Sequence, residues 1–259
     1  MRWRVGLLVP ALVAALVSSG CGVLGSSHEE SLPYDPPSTV ASAEPTTEAP
    51  PSPTAKPSPA HAKPKPKTTS ATPTEDPNNF QLPACAKHSG KTVTKAQAKS
   101  ALTAAAAKIY WPGSAPSLKV PLDLVKSVAW HESGWQADIV NCDGGRGLMQ
   151  VMPDTASMIN KRFGQNYDAG DYRQNAIIGT NYLAWLTRYF GDKYYKGSYD
   201  LSTSKCATHA SMCLLNLVVS AYNAGFGAVD SGYAAKTLSN PAYVDSVRSL
   251  MTSCYCDRY

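Results

Sequence analysis

From Cys85 to Tyr259 the sequence has one glutamate, Glu132; the other five, Glu29, Glu30, Glu44, Glu48 and Glu75, all precede that region. The scarcity excludes, for the C-terminal two thirds, an acid and a nucleophile both supplied by glutamate. The chain also lacks the apolar run of about 20 residues that a membrane span needs. CxxC pairs and His-rich spacings are missing, so the cysteines do not read as zinc ligands, and neither a metal nor a cofactor is expected. A Lys/Arg stripe is missing too, which argues against nucleic acid as a partner. Alternating strand patterns are scarce and there is no internal repeat.

What is present divides the chain into unlike parts. Residues 1–20, MRWRVGLLVPALVAALVSSG, place two arginines before a short apolar run and then small residues, the pattern of a secretory signal peptide. Cys21 follows Ser-Ser-Gly as in a bacterial lipobox, where the thiol is lipidated and becomes the mature N-terminus. That reading makes 21–27 a lipidated N-terminus and predicts anchoring at the outer face of the cell membrane; plain secretion with cleavage nearby is the alternative. Removing Cys21 from the seven cysteines leaves Cys85, Cys142, Cys206, Cys213, Cys254 and Cys256. Six cysteines in an exported domain imply three disulfides, whose pairing the sequence leaves open.

Fourteen of the 20 prolines fall between Pro33 and Pro83, among Ser, Thr, Ala and Lys. Such a stretch has little to bury, so residues 28–83 read as a disordered linker. The folded domain is then 84–259. From residue 85 onward it carries 18 Lys and Arg against 12 Asp and Glu, a difference of +6. That balance suits an anionic polymer neighbourhood such as a cell wall.

The domain reads as mainly α, with six or seven helices. Residues 94–110 are alanine-rich behind Thr94, a good N-cap, and Trp111-Pro112-Gly113 stops them. Pro121 suits a first helical turn, and Leu122, Val125, Val128 and Ala129 then fall on one face. Asp154 is a candidate cap for a helix through Phe163, before Gly164. Residues 171–190 repeat the apolar spacing up to Gly191, and a last apolar run spans 212–225.

Continuing the stripe of 122, 125 and 128/129 brings it to 132. Glu132 is therefore expected on the buried side of its helix, near the end that Gly134 enforces. Desolvation there raises a carboxyl pKa, and an acid still protonated near neutral pH is what a general acid must be. A buried glutamate paired with Arg or Lys is the plainer alternative.

Glu132-Ser133 is followed by GLMQ at 147–150, Met152-Pro153 and AYNAG at 221–225. In this order, with 18 positions from Glu132 to Gln150, the set resembles the soluble lytic transglycosylases, whose catalytic domain is lysozyme-like and acts on peptidoglycan. The stretch NAIIGTNYLAWL at 175–186 is similar to the helix between two of that family's motifs. The resemblance implies a lysozyme-like helical domain stapled by disulfides, with Glu132 as catalytic acid and base. It also implies that Gln150 and Met152 line the sugar cleft, and that Tyr222 and Asn223 stand near the carboxyl. Asn141 occupies the place where the family often has a substrate-side serine; an asparagine still donates to an N-acetyl group.

Most glycosidases use two carboxylates. The family that this sequence resembles manages with one by substrate assistance, closing a 1,6-anhydromuramoyl ring at the cleaved MurNAc–GlcNAc bond. Peptidoglycan glycan strands are thus the expected partner of a monomeric enzyme. Two alternatives stay open: a hydrolytic muramidase on the same fold, and a wall-binding lipoprotein without activity.

Other residues carry weaker signals. His131 lies about 100° round the helix from Glu132 and reads as a surface or packing residue. Trp130 reads as core, while Trp135 fits core or a sugar-stacking face equally. Arg146 is expected to pair with Asp143 or to meet a peptide carboxylate. Tyr194, Tyr195 and Tyr199 read as a packed aromatic loop or a cleft wall, Ser133 as a structural hydrogen-bonding residue, and Asn175 as structural.

Overall fold

The computed structural model describes residues 76–259. The signal segment 1–20, the 21–27 N-terminus with Cys21, and residues 28–75 of the proline-rich stretch lie outside the described residues. The rest is mainly α, as expected: α1 (Lys95–Ala106), α2 (Leu122–Ser133), α3 (Pro153–Phe163), α4 (Tyr172–Tyr194), α5 (Leu214–Ala224), α6 (Phe226–Tyr233) and α7 (Pro241–Thr252). Two short antiparallel strands, β1 (Lys87–His88) and β2 (Ile139–Val140), pair Lys87 with Val140 and His88 with Ile139.

Local chemistry sets the ends of these helices. Thr94 and Gln97 form a reciprocal capping box at the start of α1. Gly134 takes the left-handed conformation, φ 56°, that closes α2, and Lys95 Nζ donates to its carbonyl, placing a cation at the helix C-terminus. Helix α3 starts one residue earlier than its expected Asp154 cap. Met152 is the N-cap, Pro153 takes the first turn where its missing N–H costs nothing, and Asp154 serves as a first-turn acid.

Helix α4 runs through Gly191 to Tyr194. That glycine marks close packing: a Cβ there would come within 2.6 Å of the Ser198 carbonyl. The helix is buried nearly all round and packs on α1, α3 and α5; α2 packs on α1 and α7. Leu122, expected on the buried stripe of α2, is exposed, and Leu124 is buried in its place.

The cysteines pair as Cys85–Cys142, Cys206–Cys213 and Cys254–Cys256. Residues 76–83, the end of the proline-rich stretch, lie against the helical domain. The Phe80 ring sits over Gly134, where a Cβ would approach it to 2.9 Å. The Asn78 carbonyl accepts from Trp130 Nε1 at 3.2 Å. Its side chain donates to the Ser253 carbonyl at 3.3 Å and accepts from Tyr255 N at 2.6 Å. The expected linker boundary at 83 thus falls inside packed structure, because one aromatic and one amide in a proline-rich sequence find specific partners.

Candidate active site

Glu132 sits one residue before the end of α2, at a cleft of about 350 Å³. Asn141, Gln150, Asn223 and Tyr243 share that cleft with residues of the 76–83 arm. The expected site residues from three distant stretches are thereby brought together, with two exceptions. Met152 is not among the residues lining this cleft; it is 36% exposed at the start of α3. Tyr222 stands behind the wall, its hydroxyl donating to the Met149 carbonyl at 2.8 Å.

The direct partner of the carboxyl is Tyr243, whose hydroxyl donates to Glu132 Oε1 at 2.5 Å. Sequence reasoning missed it. A tyrosine on an amphipathic helix 111 residues away reads as core, and only the packing of α7 against α2 makes it a site residue.

No Lys or Arg forms an ion pair with Glu132 among the described residues, which sets aside the buried-ion-pair alternative. Its pKa is pushed up to about 7, first by burial, while the Tyr243 hydrogen bond opposes the rise and the Asp143 charge adds to it. Burial, and then the nearby carboxylate, hold the Tyr222 and Tyr243 phenols well above their ordinary range, so both stay protonated donors. His131 is packed edge-on against the Tyr243 ring at 4.6 Å, and burial lowers its pKa.

The loop between α2 and α3 is fixed from below. Ser133 Oγ donates to the Leu148 carbonyl at 2.7 Å. Asn175, fully buried near the start of α4, holds three backbone groups: its Oδ1 accepts from Met149 N at 3.0 Å, and its Nδ2 donates to the carbonyls of Arg146 and Ala169, each at 2.8 Å. Gly147, at φ 71°, leaves room for that amide, since a Cβ would come within 2.6 Å of it.

This scaffold sets Gln150, itself at φ 45°, in the cleft wall. Its Nε2 donates to the Gly147 carbonyl at 2.8 Å, while its buried Oε1 has no partner among the described residues. Asn141 Oδ1 accepts from Cys142 N at 2.8 Å, leaving its N–H groups for the cleft. Asn223 Oδ1 is held by Asn240 Nδ2 at 2.5 Å.

Of three weaker expectations, the structure selects one alternative for the tryptophan and the tyrosines and overturns the Arg146–Asp143 pair. Trp135 is completely buried, its Nε1 donating to the Lys126 carbonyl at 3.1 Å, so it offers no face to a sugar. Arg146 forms no ion pair with Asp143, whose Oδ1 accepts from Gly145 N at 3.1 Å. Tyr194, Tyr195 and Tyr199 pack near the C-terminal end of α4 and do not line this cleft. Of the other carboxylates, Asp138 pairs with His88 Nδ1 at 3.0 Å, Asp76 lies on the cleft wall, and Asp143 acts on Glu132 through its charge. Among the described residues, no cluster of three or more His, Cys, Asp or Glu is placed to hold a metal ion. No described helix is long and apolar enough to cross a membrane.

Residues 110–240 match the transglycosylase SLT domain family. The soluble lytic murein transglycosylase of Escherichia coli K12 is 29% identical over 136 residues, 50% of this chain and 18% of its own length. The enzyme of the same name from Salmonella typhimurium LT2 is 30% identical over 132 residues, 47% of this chain and 17% of its own. The chain therefore spans less than a fifth of these relatives. The crystal structure of the 70 kDa soluble lytic transglycosylase of E. coli is similar at 25% identity and a TM-score of 0.36, covering 55% of this chain and 21% of that one. The family match takes in Glu132, Gln150, Tyr222 and Asn223 and leaves out both the 76–83 arm and Tyr243. Over that span, half of its length, the chain belongs to the transglycosylase SLT domain family.

Proposed function

We propose that this domain cleaves the β-1,4 bond after N-acetylmuramic acid in peptidoglycan without consuming water. The observation that carries the reading is the state of Glu132: a half-buried carboxyl without a cationic partner among the described residues, held by a phenol, facing a cleft walled by side-chain amides.

Protonated Glu132 gives its proton to the glycosidic oxygen as the C1–O bond breaks. The 2-acetamido oxygen of the muramoyl residue supports the positive charge developing at C1. The leaving strand departs with a free 4-hydroxyl. Glu132, now a carboxylate, takes the proton of the O6 hydroxyl as O6 bonds to C1, closing the 1,6-anhydro ring and restoring the acid. Tyr243 orients the carboxyl and steadies its ionised state. Tyr222 holds the Met149 carbonyl, and with it the turn that presents Gln150. Gln150 lines the cleft where the sugar would lie, and the N–H groups of Asn141 suit an acetamido carbonyl. The basic balance of the domain fits the anionic wall, and the reading includes export and anchoring through Cys21.

Product analysis tests the reaction. Digested peptidoglycan should yield muropeptides lighter by one water than hydrolytic products; reducing ends would make the enzyme a muramidase. Asp76 favours that second reading, being a further carboxylate on the cleft wall. Asp76→Asn separates the two: an anhydro-forming reaction keeps its rate, and a hydrolysis that uses Asp76 as base loses it.

Because the acid must carry its proton, turnover should fall as pH rises through about 7, the value to which burial brings Glu132. Tyr243→Phe removes the hydrogen bond that favours the carboxylate, so the alkaline limb should move to higher pH. The maximal rate should drop about tenfold, the worth of one hydrogen bond to a charged group. A pH–rate profile of the two proteins checks both effects; an unmoved limb would mean that the contact does not act on the acid.

A further inference from the structure

Six residues of the 76–83 arm border the same cleft as Glu132, yet all of them lie outside the span that matches the family. The arm is pinned at both ends. At one end, Asn78 makes three hydrogen bonds, to Trp130 and to the C-terminal turn at Ser253 and Tyr255. That turn carries the Cys254–Cys256 disulfide. At the other end, the Cys85–Cys142 disulfide joins the arm to the residue after Asn141. Between the pins, Phe80 lies on Gly134. These anchors account for Asn78, Phe80 and Cys85. They do not account for Asn79 and Gln81, which are exposed, line the cleft, and have no side-chain hydrogen-bond partner among the described residues.

We infer that the arm is a specificity wall of the glycan-binding cleft, with the Asn79 and Gln81 amides contacting N-acetylated sugars in the cleft they share with Asn141, Gln150 and Asn223. A primary amide both donates and accepts, which matches the acetamido groups and hydroxyls of such a polymer. The arm walls the cleft without filling it: about 350 Å³ of space remains beside Glu132 with the arm in place. The inference rests on the glycan-cleaving reading and adds the arm to the substrate surface.

The test uses the whole exported chain with two sets of substitutions. Asn79→Ala with Gln81→Ala removes the proposed contacts from an exposed segment, so the melting temperature should hold. Asn78→Ala keeps both amides and the Asn78 carbonyl but removes the two side-chain bonds that tie the arm to the C-terminal turn. Both proteins should show KM for peptidoglycan strands raised about tenfold, with kcat within about twofold of wild type, the pattern of lost binding that does not change between substrate and transition state. Affinity for a β-1,4-linked N-acetylglucosamine tetrasaccharide, measured by calorimetry, should fall by a similar factor.

An unchanged KM and affinity would make the arm a passive cover and overturn the inference. A lower KM with faster cleavage would overturn it in the other direction, making the arm an inhibitory plug. A wild type that binds the tetrasaccharide but yields no cleavage product would sink the reaction alone, because the affinity ratio still decides the arm. A wild type that neither binds nor cuts overturns both.

Discussion

Glu132→Gln should abolish cleavage and, at the same time, make the domain more stable above neutral pH. The loss of activity follows from chemistry: glutamine cannot deliver a proton, and general acid–base transfer contributes about 10²- to 10⁴-fold. The gain in stability follows from linkage. An unfolded chain releases the Glu132 proton near 4.5, whereas burial holds it to about 7 in the folded state. Between those values the folded state binds more protons than the unfolded one, so the group's contribution falls as pH rises through the window. Below 4.5 the residue costs nothing on this account; well above 7 the ionised carboxylate destabilises the fold by roughly 3 kcal/mol, at 1.36 kcal/mol per pKa unit. Glutamine removes that cost and still offers an oxygen to the Tyr243 hydroxyl. Thermal melts of wild type and variant should coincide near pH 4 and separate by several degrees at pH 8.5, the inactive protein melting higher. Coincident melts at both pH values would mean that the carboxyl is not desolvated as described.

Asn175→Ala should be the most destabilising single change near the site, although Asn175 touches no part of the cleft. Its side chain serves Met149 N–H and the carbonyls of Arg146 and Ala169 within a fully buried setting. Alanine leaves those three groups without partners and opens space beside Gly147. Unsatisfied buried groups cost about 1–3 kcal/mol each, with partial relief from rearrangement or water, so a loss of about 3 kcal/mol is expected. For a domain of this size that lowers the melting temperature by roughly 6–12 °C. Activity should fall as well, at temperatures where the variant is folded, because the turn from Gly147 to Gln150 loses its anchor. A variant that melts with wild type would show that packing, Ser133 and Tyr222 hold the loop without Asn175.

How far the sequence revealed this arrangement depended on how local each cause was. The end of α2 was legible because a glycine in left-handed conformation acts within one turn, and the depth of Glu132 was legible because helical spacing carried the apolar stripe to it. Asn175 was legible as structural only through the family resemblance, since its partners lie in another segment. Gly191 misled: a glycine that stops a helix and one that admits a neighbouring carbonyl look alike in sequence. Tyr243 and the arm were hidden for a related reason. Each acts through contacts more than 50 residues away, and each sits in a stretch whose composition has an ordinary explanation, an amphipathic helix in one case and a proline-rich linker in the other. The disulfide pairing was beyond spacing altogether.

The Asn78 clasp also bears on the order of events in folding. It joins positions 175 and 177 residues apart. Closing a loop of that length in an unfolded chain costs roughly 4–5 kcal/mol of entropy beyond a constant, so the clasp is a poor first contact. It becomes cheap once the helices have assembled and carried the two segments to the same place. Contacts made after the rate-limiting barrier act on unfolding rates alone. Asn78→Ala should therefore leave the refolding rate of the domain unchanged and accelerate its unfolding, so the residue that holds the arm to the cleft serves as a brake on the domain's coming apart.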